Sequence, residues 1–180
     1  DLHSKAIAQQ LSKQGVTVIL NDRVETSDRN TCRRKETNRP KSSGSIIDTT
    51  SFADANDLTT YVASKYGRID FLIINDALEK NVALQLGDLS RFRELAQVNV
   101  LESIDLVKES LRYLHESRGS LLFISSSAGF RCLPGLCPSA MIQMAKRSLA
   151  ESLGTELASI GIHSEIMYVR DVIKDRSDTG

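Results

Sequence analysis

The segment from Gly119 to Leu157, GSLLFISSSAGFRCLPGLCPSAMIQMAKRSLAESLGTEL, constrains the fold more than any other part of the chain. Leu121 to Ser125 is an apolar run too short for a helix. It ends in a serine cluster, which suits a strand buried on both faces. A loop containing Pro134 and Gly135 follows, and then a long stretch with the apolar spacing of an amphipathic helix. A buried strand feeding a helix of this length is one βα unit, and the rest of the chain repeats that alternation.

Residues 4–14 place Ala6, Ile7 and Leu11 on one helical face, and Gly15 supplies a stop. Val16 to Leu20 is a β-branched run with Asn21-Asp22 at its end. A helix, a glycine, a strand and then an acid is the pattern of the second half of a dinucleotide-binding unit. There the Asp22 carboxylate would accept from ribose hydroxyls; a polar turn closing a strand gives the same pattern. Residues 23–45 carry almost no apolar signal, and Arg29, Arg33, Arg34, Lys35, Arg39 and Lys41 make them basic, so the expectation is a solvated loop. Further strands are expected at 45–48, 70–75, 121–125 and 166–169. Helices are expected at 52–66, with Ser51 as N-cap and Gly67 closing it, at 90–117 and at 141–160. Strands alternating with helices of this length predict an α/β domain over 1–180: a three-layer, Rossmann-like, doubly wound parallel sheet.

Composition narrows the function classes. Lysine plus arginine and aspartate plus glutamate number 23 each, so no global charge draws the chain to nucleic acid or an anionic membrane. The basic segment has no aromatic interleaved for base stacking, which also argues against nucleic acid. No apolar run reaches the roughly 18 residues of a membrane span. No secretory pattern opens the chain, and Cys32, Cys132 and Cys137 fit no metal-ligand spacing. The expectation is a cytoplasmic protein with reduced thiols and no bound metal.

Four segments in order carry a family resemblance: GRIDFLIINDAL (67–78), VNV (98–100), ISSSAG (124–129) and GIHSEIMYVRDV (161–172). In them the chain resembles the short-chain dehydrogenase/reductase family from about Leu2 to Val172. The resemblance puts Ser126 at the family's catalytic serine and Asn99 at its helix asparagine. It also exposes departures. The catalytic tyrosine, thirteen positions after the serine, falls on Ser139, and the lysine four further on falls on Gln143. The ten glycines include no Gly-x-Gly pair for a phosphate-cradling loop. The strand-end Asn-Asn-Ala-Gly is Asn75-Asp76-Ala77-Leu78, and the Pro-Gly of the last strand is Val169-Arg170.

The resemblance therefore implies a scaffold without its redox site. No cofactor is expected; if one binds, it is NAD(H), held by Asp22, Asp48 and Asn75. Ser126 and Asn99 read as vestigial, structural hydrogen-bonding residues. Lys146, one turn beyond Gln143, could return some positive charge, whereas Tyr113 and Tyr168 lie in segments not expected to reach the site. Family members pair through their two long helices, here 90–117 and 139–159. The resemblance thus extends to a homo- or hetero-oligomer in which a degenerate subunit joins an active sister of hydroxyacyl or ketoreductase type. An active oxidoreductase with atypical residues, and a structural or regulatory subunit using the basic segment, are the alternatives. In the family the first strand lies between the strands at 16–20 and 70–75. The chain begins after that strand, so two rows of unpaired backbone groups are expected to face each other across a gap, or to be filled by residues upstream.

Overall fold

The computed structural model describes residues 2–23, 32–37, 44–48, 55–75, 89–126, 135 and 137–169. Helix α1 (Leu2–Lys13) leads into β1 (Thr17–Arg23), β2 (Cys32–Thr37) and β3 (Gly44–Asp48). Then come α2 (Ala55–Tyr66), β4 (Phe71–Ile74), α3 (Leu89–Ala96), a π-helical turn (Gln97–Leu101) and α4 (Glu102–Ser117). The chain continues through β5 (Ser120–Ser126), α5 (Cys137–Leu157), a 3₁₀ turn (Ala158–Ile160) and β6 (His163–Val169). The strands form one sheet in the order β2-β1-β3-β4-β5-β6, all parallel except β2, which runs antiparallel to β1.

Successive strand residues face opposite sides, so each strand feeds two layers. Leu72 and Ile74 of β4 join Ile19, Leu121 and Phe123 beneath α2, α4 and α5, which contribute Leu58, Val62, Leu106, Val107, Leu114, Ala150 and Leu157. Ile73 turns the other way and packs with Val18 and Ile124 against Ala8, Ile7 and Leu11 of α1. The three-layer α/β architecture is thus the expected one, with one helix on the second face among the described residues.

The gap expected in the middle of the sheet is closed. Gly44–Asp48 lies between β1 and β4 and is parallel to both, with Ile46 registered to Ile19 on one side and Leu72 on the other. Two facing rows of unpaired peptide groups are costly, and a β-branched strand of five residues satisfies both. The solvated loop expected over 23–45 is also corrected, because β1 runs on to Arg23 and Cys32–Thr37 pairs back along it. Its sequence, CRRKET, has no apolar alternation to betray a strand; the ladder from β1 supplies the order.

The single helix expected over 90–117 is found, helical without a break from Leu89 to Ser117, and it carries a π-helical turn at Gln97–Leu101. Ser51 and Phe52, expected at the start of α2, lie outside the described residues. Gly67 closes α2 as expected, with φ +75° and its N–H donating to Ala63 O at 2.8 Å.

Among the described residues, a buried serine hydroxyl of α4 stands without a hydrogen-bond partner. Ser110 of α4 is fully buried, and its hydroxyl makes no hydrogen bond. An unsatisfied buried hydroxyl costs about 1–3 kcal/mol, whereas a methyl in its place costs nothing in desolvation. Ser110→Ala should leave the protein as stable or raise its unfolding free energy by about 1 kcal/mol in a urea titration. A loss of that size would show that the hydroxyl is satisfied after all.

Candidate functional site

Parallel strands align their carboxyl ends, and in open α/β sheets that edge is where ligands bind. Here it carries Asp22 on β1, Asp48 on β3, Asn75 after β4 and Ser126 on β5. The best-defined part lies where β5 meets α5. The Ser125 hydroxyl donates to Gln143 Oε1 at 2.5 Å, and the Ser126 N–H donates to the same oxygen at 3.3 Å. Ser139, Gln143 and Lys146 are spaced i, i+4, i+7, which puts them on one helical stripe, and that stripe faces the sheet. All three are buried. Lys146, 1% exposed, donates from Nζ to Ile124 O at 3.5 Å. An amide oxygen suits this place because two converging donors, a hydroxyl and a peptide N–H, need an acceptor.

Asn99 sits inside the π-helical turn, 5% exposed, and its Nδ2 donates to Leu95 O at 3.0 Å. Ser103 Oγ in turn donates to Asn99 O at 3.1 Å. A π-turn lengthens the hydrogen-bonding step, so side chains are recruited to the carbonyls it disturbs. The turn packs against α5.

Asn75 follows β4, the strand next to β5. Its Nδ2 donates to Ser4 Oγ at 2.7 Å, tying β4 to α1, and both side chains are buried. Asp22 is inside β1 rather than in a turn after it, and the antiparallel register sets it opposite Arg33. Asp48 ends β3, registered between Asn21 and Ile74.

Tyr168 stands on β6 in backbone register with Ser125. Its phenol, together with Glu151, acts on Arg147. The hydrogen bond from Arg147 Nε to Glu151 Oε1 at 2.8 Å is the main cause of a raised guanidinium pKa, followed by the Glu151 charge and Tyr168. Sequence reasoning missed this neighbour because strand register, not spacing along the chain, sets it. Tyr113 remains on α4, with the Arg112 guanidinium over its ring.

Among the described residues, no cluster of three or more His, Cys, Asp or Glu could hold a metal, and no helix is long and apolar enough to cross a membrane. A mostly parallel sheet with helices on both faces and a serine-ended strand against a long helix has the architecture of a dinucleotide-binding fold. The short chain dehydrogenase model matches residues 4–169, and the chain belongs to that family of oxidoreductases. It is 29% identical over 161 residues to an uncharacterized oxidoreductase of Staphylococcus saprophyticus, covering 87% of this chain and 68% of that protein. It is also 29% identical over 161 residues to the human dehydrogenase/reductase SDR family member 7, covering 85% of this chain and 47% of that one. Among solved structures it resembles an NAD+-bound xylitol dehydrogenase at a TM-score of 0.62 and 17% identity, covering 71% of this chain and 60% of that one. A short chain dehydrogenase/reductase of Saccharomyces cerevisiae gives a TM-score of 0.63 at 18% identity, covering 72% and 60%. These structural likenesses establish the fold. The chain spans about half to two thirds of the length of these relatives.

Proposed function

We propose that this chain is a non-catalytic subunit of the short chain dehydrogenase type. On this reading it serves as the partner of an active sister in an NAD(P)-dependent hydroxyacyl or ketoacyl dehydrogenase. The observation that carries this reading is the buried Gln143 amide, whose oxygen takes both donors at the end of β5. By resemblance that position belongs to a lysine and Ser139 to a tyrosine. The reaction needs a phenol to exchange a proton with the carbonyl, and a neighbouring ammonium to bring its pKa toward neutrality. A serine hydroxyl is too weak an acid, an amide is uncharged, and loss of positioned acid–base catalysis costs about 10²–10⁴-fold.

Of the residues offered to a dinucleotide, Asn75 is buried and its amide donates to the buried Ser4 hydroxyl instead. No reaction step is therefore routed through a nicotinamide here. The partner reading draws support from four exposed apolar side chains, Leu101 and Ile104 on the π-turn and α4, and Met141 and Met144 on α5. An interface burying them would use the helices the resemblance assigns to pairing.

Titration of the full-length protein with NADH and NADPH should leave the nicotinamide fluorescence unchanged, while purification from the native source should bring down an intact dehydrogenase. Saturable enhancement by either cofactor would overturn the reading, as would a homomer that purifies alone. A second reading is an oxidoreductase with atypical residues, for which Tyr168, on the strand next to β5 and in backbone register with Ser125, is the tyrosine to test.

A further inference from the structure

We propose that Cys137, Met141 and Met144 form a binding site for a soft monovalent metal ion of the Cu(I) type. This goes beyond the sister-subunit reading and does not depend on it.

The three residues open α5 at positions i, i+4 and i+7, a spacing that sets them along one helical stripe. Ser139, Gln143 and Lys146, on the opposite side of the same helix, are buried, so the sulfur stripe faces outward. Cys137 is exposed with a free thiol, and Met141 and Met144 are 42% and 45% exposed. Free cysteine and methionine are among the residue types most often buried, so packing does not account for sulfur in this place. The sulfur is also concentrated. The chain holds three cysteines and three methionines, and half of these fall within 137–144. Long side chains in a helix lean toward its N-terminus, which is the direction of Cys137 from both methionines.

A thiolate with two thioethers is a soft donor set, the kind that selects Cu(I). Zinc and harder cations need imidazole, several thiolates or oxygen. Among the described residues no cluster of three or more His, Cys, Asp or Glu supplies them, and 137–145 contains no charged residue to offer a carboxylate. Binding is ligand exchange without a redox step. The ion gains Cys137 Sγ and the two methionine Sδ atoms, and the thiol proton leaves to solvent.

The test is an anaerobic competition between the full chain and bicinchoninate for Cu(I) supplied as its acetonitrile complex. One ion per chain should leave the chelator. Met141→Leu/Met144→Leu should weaken binding at least about tenfold, and Cys137→Ser should weaken it further. X-ray absorption of the loaded parent protein should show a first shell of sulfur alone, with three neighbours. That measurement uses the unaltered chain, so it stands even if a variant fails to fold. A double-methionine variant that binds as tightly as the parent would overturn the proposal, since cysteines alone would then hold the ion. So would a first shell containing nitrogen or oxygen, no transfer from the chelator, or Zn(II) bound as tightly as Cu(I).

Discussion

Replacing Gly119 by alanine should destabilise the protein by about 3 kcal/mol, at the upper end of what overpacking costs. A Cβ at this position would stand 2.5 Å from Asp70 O, 2.9 Å from Leu114 Cδ2 and 2.9 Å from Ser117 Oγ. The first of these is backbone and is already committed, accepting from the Ser120 N–H at 2.9 Å. Gly119 itself is bonded on both sides, its N–H donating to Leu114 O at 2.8 Å and its carbonyl accepting from His163 N–H at 3.2 Å. Relief must therefore come from moving β4, β5 or the end of α4, all of which belong to the core. For a chain of this size the thermal midpoint should fall by roughly 6–12 °C.

Gly67→Ala is the contrast. Its Cβ would meet nothing within 4 Å, but its φ is +75°, so the cost is conformational alone, about 1 kcal/mol. Urea unfolding of the two variants separates steric from conformational glycine. Equal costs would refute the account of Gly119.

Gln143→Leu should cost about 2–4 kcal/mol, chiefly from the polar groups it strands, since the two side chains differ little in bulk. The substitution leaves the Ser125 hydroxyl and the Ser126 N–H facing an apolar group, each short of the acceptor it has now. Adding Ser125→Ala removes one of the two stranded donors and should recover about half of the loss, a coupling that a double-mutant cycle measures directly. Gln143→Lys is the sharper variant for the functional question. Lysine has donors only, so it cannot accept from either group, and it adds a second ammonium close to that of Lys146. A Gln143→Lys protein as stable as the parent would mean that the β5–α5 junction tolerates the family's lysine unchanged. The pseudoenzyme reading would then lose its structural support.

Much of this site was legible in the chain because it depends on local spacing. The i, i+4, i+7 stripe of Ser139, Gln143 and Lys146 follows from helical periodicity once 137–157 is a helix. The role of Asn99 as a backbone-satisfying residue was legible too, though the π-turn that requires it was not. A run of Leu, Val, Ile and Phe at three- and four-residue spacing fits a continuous helix as well as one carrying an inserted residue. The strand neighbour of Tyr168 was hidden for a different reason. Its neighbour Ser125 is 43 positions away in sequence and becomes adjacent only through the register of β5 and β6.

Apolar periodicity by itself determined the helices, the buried strands and the α/β layering, because each element must bury a face whose period is written into its own residues. What only the tertiary structure decided was the order of the sheet's first three strands. Ser45-Ile46-Ile47 is equally a strand at an edge or in the middle, and Arg33-Arg34-Lys35 carries no strand signal at all. Hydrogen bonding between strands has no counterpart in local sequence. Gly44–Asp48 lies between β1 and β4 because two neighbours offer it open peptide groups, and Cys32–Thr37 is ordered by the remaining edge of β1.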